Sequence, residues 1–150
     1  MLRETINNAL KDAMKAKDER RVSTLRLVNS TFKNADIEAR ASGKTLSDAE
    51  LLPVLQKMIK QRQESRDLYE KGGRPELAQQ EAEEIEIITA YLPQQMSEAQ
   101  MAAAIDAAIA QTGAAAMKDM GKVVGVLKSK HAGQMDFAKA SQMVKSKLGG

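Results

Sequence analysis

The sequence contains no cysteine, one histidine and few aromatic residues, which make up 3% of the chain. Without cysteine there is no disulfide framework, no thiolate nucleophile and no thiolate metal ligand. A nucleophilic serine or lysine needs a base within hydrogen-bond reach. The single histidine, His131, lies at a predicted helix end beside Gly133, where its placement near a helix C-terminus is favourable. We therefore predict no catalytic residue and interpret His131 as structural.

The chain also lacks the common motifs for metals and nucleotides. It has no Asp-x-Asp-x-Asn-Gly loop for calcium and no phosphate-binding glycine loop after a strand. Gly72-Gly73 is too short for such a loop and predicts a helix end. The densest acidic group consists of Glu81, Glu83, Glu84 and Glu86. Because a helix spreads these carboxylates around its axis, we interpret them as a solvated face with ion pairs and predict no metal and no cofactor.

The composition favours an all-α protein. Hydrophobic residues make up 43% of the chain and charged residues 29%, as in ordinary soluble proteins. Residue types that lose little side-chain freedom in a helix dominate, and no alternating strand pattern or solenoid repeat occurs. The first residues form no apolar signal region, and no run is long enough to span a bilayer. The expected location is cytoplasmic.

Glycines, prolines and capping residues divide the chain into seven predicted helices. Capping boxes at residues 47–50 and 97–100 mark the starts of the third and fifth helices. Pro93 marks a boundary between helical groups. We therefore predict an N-terminal helical domain over residues 1–93, arranged as a hairpin or bundle, and a small three-helix C-terminal domain over residues 97–150.

Apolar residues recur at helical spacing in the N-terminal part, which predicts its core. In the first two helices the expected core residues are Ile6, Leu10, Met14, Val22, Leu25, Val28, Phe32 and Ala35. In the third helix they are Leu51, Leu55 and Met58. This last stripe continues to two arginines, so charge stands where core is expected.

An antiparallel hairpin of the third and fourth helices accounts for these two arginines. Pairing residues whose numbers sum to about 146 places Arg62 near Glu84 and Arg66 near Glu81. We therefore predict that Arg62 and Arg66 form partly buried, structural ion pairs.

The formal net charge is +3 and is unevenly distributed. Residues 1–95 contain 16 lysines and arginines against 16 aspartates and glutamates, whereas residues 96–150 contain 7 against 4. A basic patch can bind nucleic acid by neutralising phosphates, but a patch this small is more often only solubilising. Composition leaves both interpretations open.

Gly121 and Gly125 are four residues apart and therefore share one helix face. Glycine in a helix interior costs about 1 kcal/mol relative to alanine, so the pair needs a reason. One reason is close packing against another helix. The other is close approach of an RNA backbone, with Lys118 and Lys122 as phosphate partners. Spacing alone favours packing.

A second basic group, Arg26, Lys33 and Arg40, recurs at seven-residue intervals along one side of the second helix. Such a row is usually a solvated face, but it can also extend a nucleic-acid track. Because no aromatic residues interleave to stack bases, any contact would be with backbone and shape.

Three segments of the chain look familiar together. The first is Met14-Lys15-Ala16-Lys17-Asp18 followed by Leu25-Arg26-Leu27. The second, which is the most specific, combines Lys60-Gln61-Arg62-Gln63-Glu64-Ser65, Tyr69-Glu70-Lys71-Gly72-Gly73-Arg74 and Tyr91-Leu92-Pro93. The third is Lys118-Asp119-Met120-Gly121-Lys122-Val123-Val124-Gly125. In this order and spacing they resemble the GatB/YqeY family from near the first residue to the last.

The resemblance implies tRNA handling by residues from about 97 onward. In the family, this part is similar to the tail domain of the aminoacyl-tRNA amidotransferase B subunit, which helps to hold the tRNA whose misacylated glutamate or aspartate is amidated. That larger enzyme is a carbon–nitrogen ligase with glutamine as amido donor. Its ATP-using site lies in another domain and its ammonia comes from another subunit, so we interpret ligase activity as a property of the larger enzyme alone.

The chain departs from the family pattern at two places. Ser129 stands where the family usually has proline, and Gly133-Gln134-Met135-Asp136 stands where a Gly-Arg-Ala-Asp-like run is usual. The missing arginine removes one expected basic contact with RNA.

Two functional hypotheses remain. In the first, the protein is non-catalytic and associates with tRNA or another structured RNA, whose sugar–phosphate backbone the C-terminal domain holds. The predicted RNA-binding residues are Lys118, Gly121, Lys122, Gly125, Lys128 and Lys130. In the second, the protein is a helical interaction module that docks on a larger protein partner and never contacts RNA. Neither hypothesis involves a membrane.

Overall fold

The structure, a computed structural model, describes residues 1–149. Over this range the chain forms seven α-helices, one 3-10 helix and no strand, which confirms the predicted all-α class. The helices are α1 (Leu2–Lys15), α2 (Glu19–Ala41), α3 (Asp48–Lys71), α4 (Pro75–Thr89), α5 (Glu98–Thr112), α6 (Met120–Lys130) and α7 (Phe137–Gly149), and the 3-10 turn at Met117–Asp119 precedes α6. None of these helices is long and apolar enough to cross a membrane.

Local signals set the start of α3 and α5 as predicted. The hydroxyl of Ser47 accepts a hydrogen bond from the backbone N–H of Glu50, and the side chain of Glu50 accepts one from the N–H of Ser47. Ser97 and Gln100 repeat the arrangement at α5. Both capping boxes are therefore confirmed, and each satisfies two backbone donors that the helix itself leaves without partners.

The chain separates into two compact units, the first over Met1–Leu92 and the second beginning at Pro93. Helices α1 to α4 form the first unit, and α5 to α7 with the 3-10 turn form the second. That these units are independent domains with bounds at 1–93 and 97–150 stays a prediction.

The first unit has one hydrophobic core to which all four helices contribute. Its buried residues are Ile6, Ala13, Leu25, Val28, Phe32, Leu51, Leu55, Met58 and Ile88. The expectation for Met14 is wrong, because its side chain is 50% exposed and Ala13 is buried instead. Residue 13 lies only about 20° around the helix axis from Ile6, whereas residue 14 lies about 80° away.

α3 and α4 pack against each other as a hairpin joined at Gly72-Gly73. Arg62 Nε donates to Glu84 Oε2 at 3.2 Å, and the two side chains are only 11% and 15% exposed. The Nη1 of Arg62 also donates to the Met58 carbonyl at 3.1 Å. The predicted Arg62 pair is confirmed as a partly buried, structural contact between the two helices.

The second predicted pair is wrong. Arg66 is 37% exposed, and the carboxylate within ion-pair distance is that of Asp67, at 4.0 Å. Glu81 instead shares a hydrogen bond with Glu84, and burial, followed by the charge of Glu84, raises the pKa of Glu81. In the register that pairs Arg62 with Glu84, Glu81 lies one position beyond the residue that faces Arg66. A shift of one residue turns a side chain by about 100° around its helix.

The second unit has its own core between α5, α6 and α7. Its buried residues are Met101, Ile105, Ala108, Val123, Leu127, Met135, Ala140 and Val144. The segment before α5 is tied to the turn between α6 and α7, because the Met96 N–H donates to the Gln134 carbonyl at 2.8 Å and the Gln95 side chain donates to the Gly133 carbonyl at 2.6 Å. Gln95 and Met96 thus pack with the second unit.

Candidate nucleic-acid interface

Helix α6 has one buried side and one open side. Val123 and Leu127, four residues apart, are both fully buried against the core of the second unit. Gly121 and Gly125, also four residues apart, lie on the opposite side and are exposed. The same periodicity that seats the helix on its core therefore turns the two glycines towards solvent.

Close helix packing does not account for these glycines within the described part of the chain. A Cβ atom built at Gly121 or at Gly125 would have nothing within 4 Å apart from neighbouring backbone of its own helix. Neither residue has a positive φ, so neither position needs glycine for its backbone conformation. The pair leaves a strip of bare backbone on the surface, which a side chain of any size would cover.

Lysines border this glycine strip on both sides. By helical geometry, Lys122 lies about 60° around the axis from Gly125 on one side, and Lys128 lies about 60° away on the other. Both are exposed, as is Lys118 on the preceding 3-10 turn. None of the three has a carboxylate within ion-pair distance among the described residues. We call Lys118, Gly121, Lys122, Gly125 and Lys128 the α6 face.

Lys130, the remaining predicted residue, occupies a different position. Its Nζ donates to Gln111 Oε1 of α5 at 2.6 Å. Together with Lys122 and Gly125 it lines an open groove between the end of α5 and α6, to which Thr112 and Ser129 also contribute. The structure therefore places Lys130 beside the α6 face, on the wall of the groove.

Ion pairs elsewhere in the second unit neutralise two of its lysines, so its remaining positive charge lies mainly near this face. Lys139 contacts Glu98 and Lys147 contacts Asp106, so two lysines of α7 are bound to carboxylates of α5. Lys145 of α7 is exposed without such a partner among the described residues. The other lysines of the unit are the predicted ones, and they carry most of its remaining positive charge.

Asp119, in the 3-10 turn before α6, is a carboxylate beside the α6 face. Its Oδ2 accepts hydrogen bonds from the N–H of Ala115 at 3.1 Å and of Ala116 at 3.3 Å, which closes the turn before α6. The bond from Ala115, with smaller contributions from Ala116, Lys122 and Lys118, lowers the pKa of Asp119. Asp119 is therefore an ionised, turn-forming residue that reduces the positive charge of the face without blocking the glycines.

His131 ends α6, as the sequence predicts. Its N–H donates to the Leu127 carbonyl at 2.8 Å, and its Nδ1 lies 3.0 Å from Gln134 Oε1. Gln134, which replaces the usual arginine of the family, is thus turned towards His131. No group of three or more possible metal ligands occurs among residues 1–149.

Sequence reasoning missed the α5 side of the site and the exposed Lys145. Gln111 and Thr112 reach the groove because α5 packs beside α6, and no sequence pattern links positions so far apart. In the sequence Ser129 stands out only as a departure from the family, although its spacing of four from Gly125 places it on the same helix face. The row of Arg26, Lys33 and Arg40 belongs to the first unit, where all three are exposed.

Comparison with protein families gives one extended match. A family model described as Yqey-like protein matches residues 3–148, almost the entire chain. The match covers both units and every residue of the α6 face.

Three fungal proteins are among the curated relatives. The altered inheritance of mitochondria protein 41, mitochondrial, of Eremothecium gossypii is 40% identical over 55% of this chain and 44% of its own length. The protein of the same name in Lachancea thermotolerans is 42% identical over 57% of this chain and 44% of its own length. A protein of Schizosaccharomyces pombe is 30% identical over 64% of this chain and 76% of its own length. The chain thus spans less than half the length of the first two relatives.

Proposed function

Because the chain belongs to the Yqey-like protein family, we propose that it is a non-catalytic RNA-binding protein whose second unit holds the sugar–phosphate backbone of tRNA on the α6 face. The family is related to the tail domain of the tRNA amidotransferase B subunit, which supports tRNA as the first RNA to test. The proposal concerns binding alone.

The observation that carries the proposal is the exposed glycine pair. Gly125 lies in the interior of α6 and Gly121 in its first turn, and glycine at an exposed interior position makes a helix less stable than alanine does by about 1 kcal/mol. Among the described residues of the second unit, nothing fills the space that the missing side chains leave. A ligand backbone that approaches the helix closely would use this space, and Lys118, Lys122 and Lys128 would meet its phosphates.

The composition of the face favours contact with backbone over contact with bases. Stacking of single-stranded bases needs exposed aromatic rings. The one aromatic residue of the second unit is Phe137, which is packed against the core. Lysines act as point charges on phosphates and do not select a sequence. The expected ligand is therefore a structured RNA recognised by charge and shape.

Binding of the full chain to bulk tRNA at several salt concentrations tests the proposal. We expect affinity to fall steeply with salt, and Lys118→Ala with Lys122→Ala to flatten the salt slope by about one unit per lost phosphate contact. Lys139→Ala with Lys147→Ala is the matched control, since it removes the same charge from two lysines that already have carboxylate partners. An equal effect of both variants would reduce the proposal to nonspecific charge attraction.

Replacement of the glycines gives a sharper test, because it separates stability from binding. Gly121→Ala with Gly125→Ala is expected to stabilise the second unit by about 1 kcal/mol, since alanine favours helix and the new methyl groups meet no neighbour. The same variant is expected to bind tRNA at least about tenfold more weakly, because the methyl groups occupy the path of the ligand. A stabilised variant with unchanged tRNA affinity would contradict close approach at this face.

A second candidate function is docking on a protein partner. The observation that favours it is the exposure of large apolar side chains in the first unit, with Leu68 70% exposed and Ile37 54% exposed. These side chains lie on different helices and are not gathered into one patch by any described contact. Absence of tRNA binding even at low salt would favour this alternative.

Two negative expectations complete the proposal. Purified chain should neither hydrolyse glutamine nor amidate misacylated tRNA with ATP, and an activity removed by a point substitution would contradict this.

Cytoplasmic location also stays a proposal, because the named Eremothecium and Lachancea relatives are mitochondrial by their names. Fractionation of cells that express the tagged chain would decide between the two compartments.

A further inference from the structure

The outer side of α2 carries a second set of cations that the fold does not use. Arg26, Lys33 and Arg40 are exposed along one side of the helix, and small or apolar residues such as Ser30 and Ile37 lie between them. Consecutive members of the row are about 10 Å apart along the axis, because each residue advances an α-helix by about 1.5 Å. We call Arg26, Lys33 and Arg40 the α2 face.

Some other arginines of the first unit, unlike those of the α2 face, pair with carboxylates of another helix. Arg3 makes two hydrogen bonds to Asp36 of α2, at 2.8 and 2.7 Å, and Arg20 contacts Glu83 of α4 at 3.1 Å. Asp36 is thereby engaged on the packed side of α2. Within residues 1–149, no carboxylate lies within ion-pair distance of Arg26, Lys33 or Arg40. Their charges are therefore available to a ligand.

One end of the α2 face opens into a groove. Arg26 lines an open groove of about 260 Å³ together with Lys17, Ser23, Val22 and Glu19. Lys17 lies in the turn before α2 with φ of 57°, a left-handed conformation that glycine adopts with less strain. The groove thus gathers two cations and one hydroxyl, with Glu19 as its single carboxylate.

We propose that the α2 face, from the groove at Lys17 and Arg26 to Arg40, is a second surface that binds the phosphate backbone of structured RNA. The proposal takes its ligand class from the proposed function but uses a different unit of the chain. A row about 20 Å long is too extended for a single phosphate or nucleotide and fits a polymer with repeated charges. Its cations are held in line because another side of α2 is anchored in the core through Leu25, Val28 and Phe32.

The surface chemistry favours RNA over an anionic membrane. A helix that lies in a membrane interface buries a continuous apolar face. The apolar face of α2 is already buried in the core, and the exposed large apolar residues between Arg26 and Arg40 are Leu27 and Ile37, which lie about 80° apart around the axis and form no continuous face. Binding must therefore depend on charge alone, which phosphates of an RNA duplex supply at regular intervals.

The test uses the full chain with Arg26→Gln, Lys33→Gln and Arg40→Gln together. The matched control is Lys11→Gln, Lys57→Gln and Lys71→Gln, which removes three exposed lysines of the same unit outside the row. A second variant, Arg26→Lys with Arg40→Lys, keeps the charge of the row. Probes are bulk tRNA, an RNA duplex of generic sequence, and vesicles that contain phosphatidylserine.

We expect the triple variant to flatten the salt slope of RNA binding by about two to three units and to weaken binding near 0.1 M salt by at least about tenfold. The control and the lysine-for-arginine variant should keep the wild-type slope to within one unit. A triple variant with wild-type RNA affinity would overturn the inference. So would a variant that loses only vesicle binding, because that result assigns the face to a membrane.

The same measurements separate this inference from the proposed function. If the triple variant flattens the salt slope while Lys118→Ala with Lys122→Ala does not, RNA binding by the α2 face is supported and RNA binding by the α6 face is contradicted. The reverse result removes the α2 face and leaves the α6 face. If both faces contact RNA independently, combining the two variants should add their slope changes.

Discussion

The two units of the protein use positive charge in different ways. All eight arginines of the chain lie in the first unit, whereas the second unit carries seven lysines and no arginine. In the first unit, Arg3, Arg20 and Arg62 each reach a carboxylate on another part of the unit. In the second unit, the ion pairs lie on the surface between α5 and α7, and the α6 lysines are left without carboxylate partners among the described residues.

This difference follows from the chemistry of the two side chains. The guanidinium group is planar, weakly hydrated and able to hold a carboxylate in a fixed geometry, so it suits half-buried contacts between helices. The ammonium group is compact and strongly hydrated, so it suits an exposed surface that meets phosphates without fixed geometry. We therefore interpret Arg3, Arg20 and Arg62 as part of the fold of the first unit, and the charge of the α6 face as available for binding.

If the two units are separate structures, core substitutions should show this with the largest expected effects. Leu127→Ala in the second unit and Leu55→Ala in the first should each cost about 2 to 5 kcal/mol, since both side chains are fully buried. Hydrogen exchange should show each substitution loosening its own unit alone. If either variant destabilises both units equally, the chain folds as one cooperative body and the predicted domains are wrong.

Arg62→Ala tests whether arginine is structural in the first unit. The substitution leaves Glu84, which is 15% exposed, without its partner and beside Glu81. We expect a loss of about 2 to 3 kcal/mol in urea unfolding, less than for a fully buried pair because both groups retain some contact with water. Lys147→Ala, at an exposed pair of the second unit, is the control and should cost less than about 1 kcal/mol. Equal losses of stability at the two pairs would show that the arginine pair of the first unit is no more structural than the lysine pair of the second.

The smallest expected effects concern the dependence of stability on pH, because the pKa values of two acidic groups shift in opposite directions. Burial and Glu84 raise the pKa of Glu81 in the first unit, so its contribution to stability is present below about 4.5 and is lost as pH rises through the raised pKa. Hydrogen bonding lowers the pKa of Asp119 in the second unit, so its contribution is present above 3.8 and is lost as pH falls through the lowered pKa.

Isosteric substitutions measure these two contributions separately. Glu81→Gln should make the first unit less sensitive to a rise in pH from 4 to 7. Asp119→Asn should destabilise the second unit at pH 7, and this effect should shrink as pH falls below 3.8 through the lowered pKa of Asp119. Unfolding of each variant and of the wild type across this range provides the check. Matching pH dependence of Glu81→Gln and the wild type would show that burial of Glu81 has no energetic consequence.

Features that depend on one helix were predictable from the sequence. The capping boxes at Ser47 and Ser97 involve residues three positions apart, and the αL glycine after α5, Gly113, ends that helix by its own backbone freedom. The shared face of Gly121 and Gly125 follows from helical periodicity alone. The sequence by itself therefore determined the helices, their ends and which residues share a face.

Features that depend on how two helices meet were decided by the tertiary structure. Arg62 reaches Glu84 but Arg66 does not reach Glu81, because a register error of one residue turns a side chain by about 100°. Spacing favoured packing as the reason for Gly121 and Gly125, and only the position of the neighbouring helices left that face of α6 open. Periodicity fixes a direction around one helix axis, whereas the partner found in that direction depends on packing of the whole unit.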